Sequence, residues 1–193
     1  MLILDRDAIP PNAHFSDADV AYVLLYLKKN GHTSRKDLLA YLEMGEGSFR
    51  SMMKVLTDFD FIRTSRKGVT LGPNGNRLAM HINIRPLDIE VGYSLGPYKQ
   101  VMVVQHAADK IDTGMEQVKI STMAGGVGCT TWVMKNNWIY MPPHLGAVMD
   151  GYTFSREIVG TAGLKDGDVL LVCGAESPRA ARLAAMAVAL DLI

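Results

Sequence analysis

Residues 61–71 constrain the fold more than any other stretch. Phe61-Ile62-Arg63-Thr64-Ser65 and Val69-Thr70-Leu71 are short β-prone segments, and the basic, glycine-containing Arg66-Lys67-Gly68 joins them into a hairpin. Three helices are expected ahead of it. Ser16 and Asp19 stand in capping-box spacing, Asp17 and Asp19 suit the positive end of a helix dipole, and Val20, Val23, Leu24 and Leu27 fall on one face. Lys28, Lys29 and Gly31 suit the end of this helix. Ser34 and Asp37 repeat the capping pattern before Leu38, Leu39 and Leu42, a helix of about two turns. The break falls at Met44-Gly45-Glu46-Gly47, where glycine is expected to take the positive φ of a sharp interhelical turn. A third helix, capped by Gly47 or Ser48, then sets Phe49, Met52, Met53 and Leu56 on one face and Arg50, Ser51 and Lys54 on the other.

The glycines at 45 and 47 do not read as a phosphate loop, because a helix precedes them and no Gly-Lys-Ser/Thr follows. Three helices and a hairpin give the order of a winged helix-turn-helix. The stretch "SRKDLLAYLEMGEGSFRSMMKVLTDFDFIRTSRKGVTLGPNG" resembles winged-helix transcriptional regulators, a likeness that covers residues 16–80. The "GEGSFR" turn and the "SRKGVTLGPNG" wing look most like an archaeal set of these regulators that carry an uncharacterised C-terminal domain. Residues 71–75, "LGPNG", depart from the Leu-Thr-x-x-Gly of many relatives, which puts in doubt how the chain leaves the wing.

The resemblance implies that the third helix enters the major groove and that the wing tip touches the backbone or minor groove. Ser48, Arg50, Ser51 and Lys54 are then candidates for the groove, and Arg66 and Lys67 for phosphate. Ser34 and Arg35, at the start of the second helix, complete the DNA-binding set. Arginine can pair bidentately with guanine, whereas lysines and hydroxyls more often hold register on phosphate oxygens. The net charge of zero does not announce nucleic-acid binding, but between Lys28 and Arg77 there are ten basic and five acidic residues.

The second half reads as mixed α/β. Residues 89–93 alternate like a half-buried strand, Gln100–Val104 is a short buried run, and Gly96-Pro97 connects them as a hairpin. Asp112–Ala124 reads as a helix stopped by Gly125-Gly126. Thr130–Met134 and Trp138–Met141 flank a tight turn at Lys135-Asn136-Asn137. Pro142–Thr161 reads as loop. Asp168–Cys173 is a strand, and Ser177 caps a final alanine-rich helix with Pro178 in its first position. That helix is apolar nearly all round, which predicts burial.

Two places in this half could hold a ligand. Gly174, Glu176 and Ser177 join a strand to a helix N-terminus that favours anions, with Arg179 and Arg182 nearby. "AGGVGCTT" at 124–131 offers glycines and hydroxyls, but it follows a helix, so capping plus a turn accounts for it better than a dinucleotide fingerprint does. Catalysis has little support. The five histidines are scattered without metal spacing, and Cys129 and Cys173 lack CxxC spacing and read as small buried side chains. Neither could act as a nucleophile with His106 or His144 unless the fold gathered them.

The expected fold is therefore α+β, with a winged helix-turn-helix over residues 1–80 and a small mixed α/β domain over 81–193. The expected function is a transcriptional regulator that binds double-stranded DNA as a homodimer. Its second domain would dimerise, sense a small-molecule effector, for which the helix N-terminus at Gly174–Ser177 favours an anion, or do both. No cofactor, metal or membrane is called for. An early charge-and-proline break at the N-terminus and the lack of a 20-residue apolar run point to a cytoplasmic protein. Two rivals are a winged helix used as a protein-interaction module, favoured if Glu43, Glu46, Asp58 and Asp60 interrupt the basic face, and an enzyme with its site in the second half.

Overall fold

The computed structural model describes residues 3–4, 14–89, 91, 95–142, 145–147 and 159–193, which fall into two compact units meeting between Ile82 and Asn83. The chain is α+β, and both of its sheets are antiparallel.

In the first unit α1 (Asp17–Asn30) is followed by β1 (His32–Thr33), α2 (Arg35–Leu42), α3 (Glu46–Asp58), the hairpin β2 (Ile62–Ser65) and β3 (Gly68–Leu71), and α4 (Pro73–His81). The capping residues act as the spacing predicts: the Ser16 N–H donates to Asp19 Oδ2 at 2.9 Å, and the Asp37 N–H donates to Ser34 Oγ at 3.0 Å. Val20, Val23, Leu24, Leu27, Leu38, Leu42, Phe49, Met52, Met53 and Leu56 are all buried as the 3.6-residue periodicity predicts, while Leu39, expected beside Leu38, is only half-buried. Ile62 and Val69 extend that core from the hairpin.

Three features depart from the sequence reading. The third helix is capped by Gly45, so Ser48 lies inside it rather than at its cap. The left-handed residue of the α2–α3 turn is Glu43 at φ 51°, while Gly45 has φ −67°. The glycines therefore do not supply the positive φ. The sheet also has a third strand, ordered β1-β3-β2, with Thr33 opposite Val69. A two-residue strand carries no periodicity, so only its partner reveals it.

The fourth helix explains "LGPNG". Gly72 is its N-cap, Pro73 its first residue, and the Gly72 N–H donates to the Phe61 carbonyl at 2.9 Å. Helix α4 packs against α1, where Lys28 Nζ donates to the Ala79 carbonyl at 2.8 Å. Ala18, Ala21 and Tyr22 of α1 are also buried, beyond the face its periodicity predicts, and the Tyr22 ring lies edge-on to Tyr41 of α2 with centroids 6.2 Å apart.

In the second unit β4 (Ile84–Leu87), β5 (Tyr98–Val104), α5 (Met115–Met123), β6 (Gly128–Lys135), β7 (Trp138–Met141), β8 (Leu145–Ala147), β9 (Val169–Ala175) and α6 (Pro178–Asp191) follow in order. The strands form one six-stranded sheet, β4-β5-β9-β6-β7-β8. Helix α6 lies on β5 and β9, and α5 lies on β6 and against α6. Val101, Val103, Trp132, Met134, Leu170 and Val172 form the other face's core with Ala162 and Leu164. Every residue of β9 is buried, which is why it reads as an unbroken apolar run.

Several expectations hold here. Asn136 and Asn137, at φ 50° and 62°, make a two-residue turn between Lys135 and its partner Trp138, and both N–H groups donate to Asp166 at 2.9 Å. Ser177 caps α6, accepting from the Ala180 N–H at 3.2 Å. Others are corrected. The expected strand at 89–93 lies partly outside the described residues, Ile89 and Val91 are not in a strand, and β5 pairs instead with β4. The helix expected from Asp112 starts only at Met115. The stretch read as loop from Pro142 to Thr161 lies largely outside the described residues, but it contains β8 and helical backbone at 159–161.

Gly75 offers a direct check on the α4 junction. A Cβ there would meet the Phe61 carbonyl oxygen at 1.9 Å, a backbone atom that cannot swing aside. Gly75→Ala is expected to destabilise the first unit by about 2–3 kcal/mol, measured as a lower urea midpoint by circular dichroism.

Candidate functional site

Helix α3 buries Phe49, Met52, Met53 and Leu56, and this leaves Arg50 and Lys54 exposed on its outward side. Ser48 and Ser51 are half-buried at the margin of that face. Arg35 is exposed at the start of α2, its guanidinium 5.4 Å from the centre of the Phe49 ring. This cation–π contact ties the first turn of α2 to α3. Ser34 is exposed but engaged in capping, donating from Oγ to Asp37 Oδ2 at 2.7 Å. Arg66 and Lys67 form the exposed turn of the hairpin, held by the Lys67 N–H donating to Ser65 Oγ at 3.1 Å.

The acids near α3 face its bases. Arg50 lies 3.5 Å from Glu46, Lys54 lies 2.6 Å from Asp58, and Arg63 lies 3.3 Å from Asp60. Two of these pairs are four residues apart on one helix, so helical spacing alone could have announced them. Arg50 and Glu46 are each about three-quarters exposed, and such pairs exchange readily with water and salt. The outward face of α3 therefore alternates in charge, whereas the hairpin tip carries two adjacent bases without an acid between them.

In the second unit, Gly174 stands where a Cβ would meet the Leu95 carbonyl oxygen at 2.3 Å, so its open side is filled by main chain. Glu176 and Ser177 are exposed and Arg179 is half-buried at the N-terminus of α6. In "AGGVGCTT", Ala124 closes α5, Gly125 takes φ 91°, and Gly126 lies against Ser121 and Ala184. The stretch is thus a helix end and a turn into β6.

His106 stands by Gly167 and Asp168, at the far end of β9 from Cys173, and His144 lies outside the described residues. The thiol of Cys173 is pushed well above its ordinary pKa, first by the neighbouring Cys129 thiol and then by burial, so it is held protonated. Among the described residues, no group of three or more His, Cys, Asp or Glu is placed to hold a metal ion, and no helix is long and apolar enough to cross a membrane.

A family model described as a domain of unknown function, DUF4443, matches residues 95–192, about half of the chain and nearly all of the second unit from β5 to the end of α6. The structure is similar to that of the hypothetical protein PH0730 from Pyrococcus horikoshii OT3, with 26% sequence identity, a TM-score of 0.73 and 93% of each chain covered. That coverage takes in residues of both units. No curated protein matches the sequence.

The exposed pairs of α3 are expected to contribute little to stability. Glu46→Gln should change the unfolding free energy by less than about 0.5 kcal/mol, and a double-mutant cycle with Arg50→Ala, read by urea denaturation at two salt concentrations, measures the coupling.

Proposed function

The chain belongs to the DUF4443 family, and we propose that this member is a DNA-binding transcriptional regulator whose first unit is a winged helix-turn-helix. The observation that carries the reading is the exposed basic set on one small unit: Arg50 and Lys54 a turn apart on α3, with Arg66 and Lys67 at the tip of the hairpin. The element order of the first unit, with a short strand joining the hairpin, supports it. In this reading Arg50 reads a base edge in the major groove, and Ser48, Ser51 and Lys54 hold position beside it. Arg66 and Lys67 supply attraction to phosphate that does not depend on sequence. Ser34 and Arg35 lie at the backbone end of α2, Arg35 steadied by Phe49. The second unit provides dimerisation, effector sensing or both, with the α6 N-terminus as the place for an anionic effector. Two-fold symmetry would double a short footprint and match a palindromic operator.

The second reading is a protein-interaction module, and the Glu46–Arg50 and Lys54–Asp58 pairs favour it, because the carboxylates would face phosphate. The two readings part on what removing an acid does. If α3 enters the groove, Asp58→Asn tightens DNA binding by freeing Lys54 and lifting repulsion. If α3 docks on protein, the same change leaves DNA binding unaltered.

The test is fluorescence anisotropy with duplexes from the protein's own upstream region, across a salt series and against scrambled competitor. Specific binding should weaken with salt by about 0.9 log units per log unit for each phosphate contact. Arg50→Ala should relax preference at one base pair at a cost of about 1–3 kcal/mol. Lys67→Ala should weaken every sequence alike and lower the salt slope by about one. Binding that scrambled DNA abolishes equally would favour the interaction module.

A further inference from the structure

The six-stranded sheet has its midline between β9 and β6, with β5 and β4 on one side and β7 and β8 on the other. Across that midline Cys129 stands directly opposite Cys173. The Met134 N–H donates to the Asp168 carbonyl at 2.9 Å, which makes 134 and 168 a hydrogen-bonded step of the ladder. Such steps alternate with non-bonded ones along an antiparallel pair, so residues 132, 130 and 128 of β6 fall on bonded steps and Cys129 on a non-bonded one. There, opposed Cα atoms approach to about 4.5 Å and their side chains leave the same face together. Disulfides span Cα separations from about 4.4 Å upwards. The Cys129 Sγ donates to its neighbouring Thr130 carbonyl at 3.7 Å, and Cys129 and Cys173 are the two cysteines of the chain.

We propose that Cys129 and Cys173 form a redox-convertible cross-strand disulfide that ties the two halves of this sheet together. The inference rests on the second unit alone and stands whatever the first unit binds. The oxidant assigned is a peroxide, small enough to reach a thiol in a packed site. Cys129 is 5% exposed and Cys173 is fully buried, so Cys129 is the point of entry. The Cys129 thiolate attacks one peroxide oxygen, the O–O bond breaks, and a sulfenic acid and hydroxide form. Cys173 then attacks the Cys129 sulfur, the S–O bond breaks, and the departing hydroxide takes up the Cys173 proton as water. Two thiols and one hydrogen peroxide thus give one disulfide and two waters. Burial of Cys173 holds its proton, so closure quickens as pH rises. Beside the pair, Ser121 Oγ donates to the Gly128 carbonyl at 3.0 Å, and it lowers the Cys173 pKa against the larger effects of Cys129 and burial.

The experiment treats the full chain with stoichiometric hydrogen peroxide, alkylates remaining thiols in denaturant, and maps the digest by mass spectrometry. The expected result is a linked pair of peptides containing Cys129 and Cys173, loss of both alkylatable thiols, and recovery of both with dithiothreitol. The oxidised protein should also melt several degrees above the reduced one, and Cys129→Ala and Cys173→Ala should each abolish that shift. Because the linkage is read on the natural chain, it does not depend on either variant folding. Two free thiols after treatment, a disulfide between molecules, or a sulfinic acid on either cysteine would overturn the proposal. So would a linked pair that melts no higher than the reduced protein.

Discussion

The second unit depends on β9. Its seven residues are buried throughout and pair with β5 along one edge and β6 along the other, so every other strand reaches the core through it. Burial on both faces demands that its backbone groups be satisfied in plane, and two antiparallel partners do this. On one side Leu170 and Val172 meet Trp132, Met134, Val101 and Val103. On the other, the alanines of α6 let its axis come close to the sheet, with Ala181, Ala184, Ala185 and Ala189 all buried. The same strand brings Cys173 opposite Cys129, so the packing that builds the unit also sets up its redox chemistry.

The first unit is built on a different balance. The buried faces of α1, α2 and α3 share a core with Ile62 and Val69 of the hairpin. Close backbone approaches complete it. Gly75 lies against Phe61, and Gly68, at φ 129°, has Thr33 where its Cβ would be. Because the apolar side of α3 is fully engaged, its outward side is free to carry charge without cost to the core. This separation of duties lets one helix both hold a fold and present a charged surface.

The charge pattern on that surface has consequences for the proposed activity. An i,i+4 carboxylate on an exposed base is a weak partner, a few tenths of a kcal/mol, and phosphate would displace it readily. It nevertheless places negative potential where a duplex would approach. Affinity in the proposed reading therefore leans on Arg66 and Lys67, while Arg50 contributes discrimination more than attraction. A regulator of this kind would bind DNA modestly as a single unit and gain by pairing two.

The sequence by itself determined the elements whose signals are local. Capping residues and apolar periodicity located α1 and α2, periodicity alone located the buried face of α3, the basic turn located the hairpin, Asn136-Asn137 located the β6–β7 turn, and Ser177-Pro178 located the start of α6. Even the Glu46–Arg50 and Lys54–Asp58 pairs were legible in their spacing. What only the tertiary structure decided was everything that requires a partner distant in the chain. β1 is two residues long and exists because Val69 and Thr70 lie opposite it. Helix α4 is nine residues long behind Gly72-Pro73 and packs against α1, and Glu43 rather than a glycine takes the left-handed position of the α2–α3 turn. The meeting of Cys129 with Cys173 is of the same kind. Two cysteines far apart in sequence carry no spacing signal, and only strand order and register bring them face to face, because a β-ladder is specified by the energy of a whole buried sheet rather than by either strand alone.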